Sequence, residues 1–106
     1  MRMPQFLAET YAAPDAASLA TLRARDIAIS TEHVNQEAGP VWFLGAIFVP
    51  EDETCFYLYQ AASADIVRAA MTRAGLRPER ITLARSIGRT ATAPAAGAAP
   101  FLLCAT

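Results

Sequence analysis

Apolar and polar positions alternate along several short stretches of this chain, and between them they recur with helical spacing. Pro4 to Tyr11 sets Phe6 and Ala8 against Gln5, Leu7 and Glu9, a short strand pattern. Asp15 is a good N-cap, and a helix is expected over 15–30 with Leu19, Ala20, Leu22, Ile27 and Ile29 apolar. It should weaken at Ile29–Thr31, where β-branched residues and Ser lower helix propensity. His33 to Gly39 reads as a final turn or as a loop, and Gly39-Pro40 is a firm stop. Val41 to Val49 is a strand apolar on both faces, so it belongs inside a sheet or has each face covered. Gly45 within it marks a bulge or a close backbone approach. Pro50 to Glu53 is an acidic turn that makes a hairpin with the next strand, 54–61.

The most legible unit is Thr54 to Gly75. Alternation puts Cys55, Tyr57 and Tyr59 on one strand face and Phe56 and Leu58 on the other. The hydrocarbon face, Phe56 and Leu58, is expected to meet the helices. The face with two hydroxyls and a thiol is then left for a pocket or a subunit contact. Ser63 can cap a helix over 63–74 by accepting from a first-turn N–H. Asp65 and Arg73 sit at the ends that suit their charges. Ile66, Val67, Ala70, Met71 and Ala74 form one apolar stripe. Gly75 is the residue expected just past the helix, Leu76 folds back on Met71, and Pro78 prevents resumption.

A last strand follows over 80–87, with Ile81, Leu83 and Ile87 in step. The order β-α-β-β-α-β predicts a ferredoxin-like α+β fold: a four-stranded antiparallel sheet with both helices on one face. The other sheet face would carry aromatics into water, and an apolar face of that size marks an interface. Two such sheets face to face give a homodimer of the dimeric α+β barrel type. Residues 1–88 form this domain, and 89–106 an Ala/Pro-rich C-terminal arm. Phe101 to Cys104 is apolar again, and such a segment docks on its own core or on a partner.

With 106 residues the chain holds a single core, and 54 % apolar against 18 % charged residues makes it globular. No apolar run reaches membrane length, and the N-terminus lacks a signal-peptide core, so the cytoplasm is the expected location. Cys55 and Cys104 then stay reduced, and their spacing fits no zinc pattern. Net charge is −1 with no basic run, which argues against nucleic acid. The basic residues are all Arg and Ala is abundant, a bias typical of GC-rich bacterial genomes.

Candidate chemistry is sparse. There is no Ser/His/Asp order, no phosphate loop and no HExxH. His33, the only histidine, is a solvated or capping residue near a helix end, or a metal ligand or proton shuttle. Cys55 lacks a local positive charge and reads as an inert strand thiol. Glu9, Trp42, Cys55, Tyr57 and Tyr59 are the candidates for lining a ligand pocket between sheet and partner, with Trp42 also an interface or core anchor. Glu51, Asp52 and Glu53 lack calcium-loop spacing and read as a solvated tip.

The stretch Asp52–Ile81 carries a resemblance. It reads D-x-T-x-F-Y-L-Y-Q-A, then S-A-D-I-V-R-A-A, then R-A-G-L-R-P-E-R-I. The pattern resembles the small bacterial DUF4242 family, sometimes called nickel-binding-protein-like. The likeness spans about Met3 to Ile87 and includes a Trp in the strand before the hairpin, here Trp42. It implies a ferredoxin-like dimer that binds a divalent metal such as nickel, or a small ligand. Relatives often carry Cys, Glu and His where this chain has Tyr57, Gln60 and Ala70. A metal would then need His33 from two protomers, with Glu37 or Glu9 as companions. The alternative is a cofactor-free isomerase or oxygenase acting on an apolar ligand, with Glu9 and His33 as proton carriers and Tyr57 as a donor.

Overall fold

A computed structural model describes residues 3–11, 17–85 and 101–104, with the backbone alone described at 17–25 and 101–104. The strands are β1 (Gln5–Tyr11), β2 (Val41–Val49), β3 (Thr54–Ala61), β4 (Arg80–Ala84) and β5 (Phe101–Cys104). The helices are α1 (Ala17–Glu37) and α2 (Ala64–Arg73). β4, β1, β3 and β2 pair antiparallel in that order, the expected four-stranded ferredoxin-like sheet with two helices. Asp15 and Ile87 lie outside the described residues, as does most of the arm.

β5 adds a fifth strand, parallel to β2, with Phe101 to Cys104 beside Gly45 to Phe48. The apolar segment at the end of the arm therefore docks on its own chain. It also places β2 inside the sheet, where a strand apolar on both faces belongs. The bulge foreseen near Gly45 shifts the register between Phe43 and Gly45. That shift keeps Val41, Phe43, Ala46 and Phe48 all buried in one core.

α1 runs on through the stretch left open as turn or loop and ends at Glu37. Asn35 Nδ2 donates to Val41 O at 2.6 Å, tying its last turn to the start of β2. α2 follows its local signals closely. Ser63 Oγ accepts from Ile66 N at 3.4 Å. Beyond its C-terminus, Leu76 N reaches Met71 O at 2.9 Å and Gly75 N reaches Thr72 O at 3.0 Å, with Gly75 at φ +79°. This is a Schellman motif, and it buries Leu76 beside Met71. The hairpin turn is a single 3₁₀ turn, Pro50–Asp52, closed by Glu53 in the left-handed region.

The faces of β3 are the reverse of the sequence expectation. Cys55, Tyr57 and Tyr59 point toward the helices and join Phe43, Ile27, Val34, Val67 and Met71 in the core. Phe56 and Leu58 lie on the far face and are half-buried. The cause is volume. Ala8, Ala46, Ala61 and Ala70 line the core and leave depth for long rings. An aromatic side chain buries roughly 150–250 Å², so two Tyr rings gain more on this side than Phe56 and Leu58 would. Phe43 stacks at a tilt on both, 6.3 Å from Tyr57 and 5.3 Å from Tyr59.

Candidate functional site

The residues singled out in the sequence fall on three separate surfaces. Cys55, Tyr57 and Tyr59 are inside, between sheet and helices. Glu9 and Trp42 belong to the opposite face of the sheet, by strand register. His33 and Glu37 are one turn apart and exposed on α1. Glu9, His33 and Tyr57 are therefore not brought together as the acid, base and donor of one site.

Burial governs the inner group. It pushes the Cys55 thiol up, partly offset by a hydrogen bond with Tyr57. Tyr59 is fully buried, and its hydroxyl is pushed up by burial, with Thr31 acting the other way and Tyr57 adding to the rise. Thr31 gives its own proton to Ile27 O at 2.7 Å. The Tyr59 hydroxyl is left without a hydrogen bond of acceptable geometry. A thiol held protonated in a dry core is a poor nucleophile. In a Cys104→Ser background, Cys55 is expected to resist iodoacetamide at neutral pH in the folded protein and to react once denaturant is added. Rapid alkylation without unfolding would show an accessible thiolate.

The far face has a different chemistry. Its rows, read across the strands, are Gln5, Gln60 and Trp42, then Leu7 and Leu58, then Glu9, Phe56 and Ile47. No described helix packs on it: both helices contribute to the core on the other side. Leu7, Ile47, Phe56 and Leu58 are half-buried, and Trp42 is 37 % exposed. At one margin Arg80 Nε donates to Glu9 Oε2 at 2.6 Å, so a charge pair closes the β1–β4 side. At the other end Gln60 is buried. Its Nε2 donates to Met3 O at 3.1 Å, while its Oε1 has no hydrogen-bond partner. The centre of this face is thus uncharged and apolar, with polar groups at its ends.

Sequence reasoning missed Phe56, Leu58, Gln60 and Arg80 as members of this face. Phe56 and Leu58 were assigned to the core, and only knowledge of the opposing alanines would have corrected that. The burial of Gln60 had no local signal, because it depends on the chain near Met3. The Arg80–Glu9 pair depends on the β1–β4 register, which no local pattern encodes.

For metal, the helix pair offers little. Glu37 Oε2 is held by Arg73 at 3.2 Å. Among the described residues no three His, Cys, Asp or Glu side chains gather as a ligand group. No described helix is long and apolar enough to cross a membrane. Neither a family model, a curated protein nor a solved structure matches this chain.

Proposed function

We propose that the protein is a small binding protein of the DUF4242 type, a homodimer through the far face of the sheet that holds a small apolar ligand between the two faces. The observation that supports this is the face itself, with Leu7, Ile47, Phe56 and Leu58 at its centre, Trp42 beside them and no described helix over it. A second copy suits this surface. The centre carries no charge to repel its own image, and the Glu9–Arg80 pair lies at the margin, where water can reach it. Four strands about 4.8 Å apart and some seven residues long span roughly 20 by 23 Å. With side-chain relief, that is on the scale of the about 800 Å² per partner in an ordinary stable interface.

In this arrangement Gln60 Oε1 is a buried acceptor awaiting a donor, from a ligand or from the partner's backbone. The helix layers face outward, so the two copies of His33 lie on opposite sides of the dimer. A metal shared between the two histidines does not fit that arrangement.

The test is the mass of the full chain by light scattering at micromolar concentration. Twice the 11.3 kDa chain mass is expected. Phe56→Asp puts an unpaired charge at the centre of the face and is expected to give the single-chain mass with unchanged far-ultraviolet circular dichroism. Trp42, the only tryptophan, should report the same event by a red shift of its emission in that variant. A wild-type monomer would remove the dimer, and with it the enclosed site.

A further inference from the structure

A groove lies on the other side of the molecule, where α2 ends. Arg68 and Thr72 stand one turn apart on its exposed side, and Gly75, Leu76, Arg77 and Pro78 follow from its last turn. Together they bound a groove of about 480 Å³. That volume falls in the range of roughly 300–1,000 Å³ typical of small-molecule sites.

The two guanidiniums are the informative feature. The ion pairs among the described residues use Arg73, on Glu37, and Arg80, on Glu9. Among the described residues, Arg68 and Arg77 line the groove and neither is held in an ion pair. Two cations left unpaired in one concavity raise its affinity for anions. The floor is of another kind. Leu76 is buried and Pro78 is half-buried. A Cβ placed on Gly75 would meet no atom within 4 Å, so the space above that residue is open.

The end of a helix is ordinarily a poor place for an anion, because its last carbonyls are bare. Here they are not. Ala70 O and Met71 O accept from Ala74 N at 3.2 and 3.1 Å, Thr72 O accepts from Gly75 N at 3.0 Å, and Met71 O also accepts from Leu76 N at 2.9 Å. The partial negative charge is largely answered before a ligand arrives.

The geometry points to a second binding site in this groove, for a small phosphorylated ligand with an apolar body. A phosphoryl dianion offers enough oxygens and charge for both guanidiniums and the Thr72 hydroxyl, where a carboxylate would satisfy one arginine. The apolar body lies over Gly75, against Leu76 and Pro78. This site is on the helix layer and does not depend on the dimer proposed above.

The test is an NMR titration of the full chain with phenyl phosphate, alongside inorganic phosphate and phenol. Saturable shifts are expected at the amides of Arg68, Thr72, Leu76 and Arg77, with phenyl phosphate binding more tightly than either control. Arg68→Gln and Arg77→Gln should each weaken it about tenfold, the scale of one charge-assisted hydrogen bond. Arg73→Gln, outside the groove, should leave it unchanged. Three results would overturn the site: no saturable shift at those amides, inorganic phosphate binding as tightly as phenyl phosphate, or an equal loss in Arg73→Gln.

Discussion

Tyr59→Ala is expected to destabilise the protein by about 3–5 kcal/mol, while Tyr59→Phe is expected to stabilise it by roughly 1 kcal/mol. The two signs separate the ring from its hydroxyl. The ring is fully buried and packs on Phe43, so its loss leaves a cavity walled by β2 and the helices. The hydroxyl sits in the same dry place with no hydrogen bond to compensate its lost hydration. Removing only the oxygen keeps the shape and discards the penalty. Guanidinium unfolding monitored by circular dichroism gives both numbers. A Phe variant less stable than wild type would mean that Thr31 does accept from Tyr59.

The same hydroxyl sets a pH dependence. Its folded proton affinity is raised above that of an unfolded tyrosine. Its contribution to stability is therefore complete below the unfolded pKa and is lost as pH rises from there toward the folded value. In Tyr59→Phe that part of the alkaline loss should vanish. The buried Cys55 thiol, raised in the same direction, leaves a smaller loss of the same sign.

Gly39→Ala is the second large effect, expected at roughly 1–3 kcal/mol. Gly39 sits in the middle of the link from α1 to β2 at φ +147°, a region that side-chain-bearing residues rarely enter. Its Cβ would also come within 2.9 Å of Ile66 Cδ1 on α2. Ile66→Val deletes that very atom, so the pair forms a double-mutant cycle. The end of a flexible side chain can move aside cheaply, so the backbone carries most of the cost. The two losses should then add to within about 0.5 kcal/mol. A double variant as stable as Ile66→Val alone would instead show that the contact dominates. Gly75→Ala is the matched comparison, with φ +79° and nothing near its Cβ.

Most of the architecture was legible because local signals agreed with each other. Ser63, the Ile66–Ala74 stripe, Gly75 and Leu76 each specify the same helix, and α2 is capped at both ends as they direct. The split pattern of strands and helices was enough to predict a four-stranded antiparallel sheet with two helices, and its pairing order is β4-β1-β3-β2. What failed was the choice of face on β3. Period two says that Cys55, Tyr57 and Tyr59 share a side, but not which side. Polarity favoured putting the hydroxyls outward, whereas the volume left by Ala8, Ala61 and Ala70 decided it the other way. The candidate site shifted with that choice, from the tyrosines to Phe56 and Leu58. The groove under Arg68 and Arg77 was illegible for a different reason: it is made by the turn after α2, and its residues are adjacent in sequence without sharing any period.

The position of β1 between β3 and β4 has a consequence for how the chain is made. β1 is made before both of its partners: Leu7 has Leu58 on one side and Thr82 on the other. Until Leu58 is synthesised this internal strand has no partner, and its second neighbour, β4, follows only after α2. β2 and β3, joined by a short turn, can form a hairpin as soon as both are made, before β4 exists. The nascent protein therefore passes through a stage with its hairpin built and one edge of β1 still open. During that stage the edge of β1 that β4 will cover is open to other chains, and a factor that shields unpaired strand edges would act there.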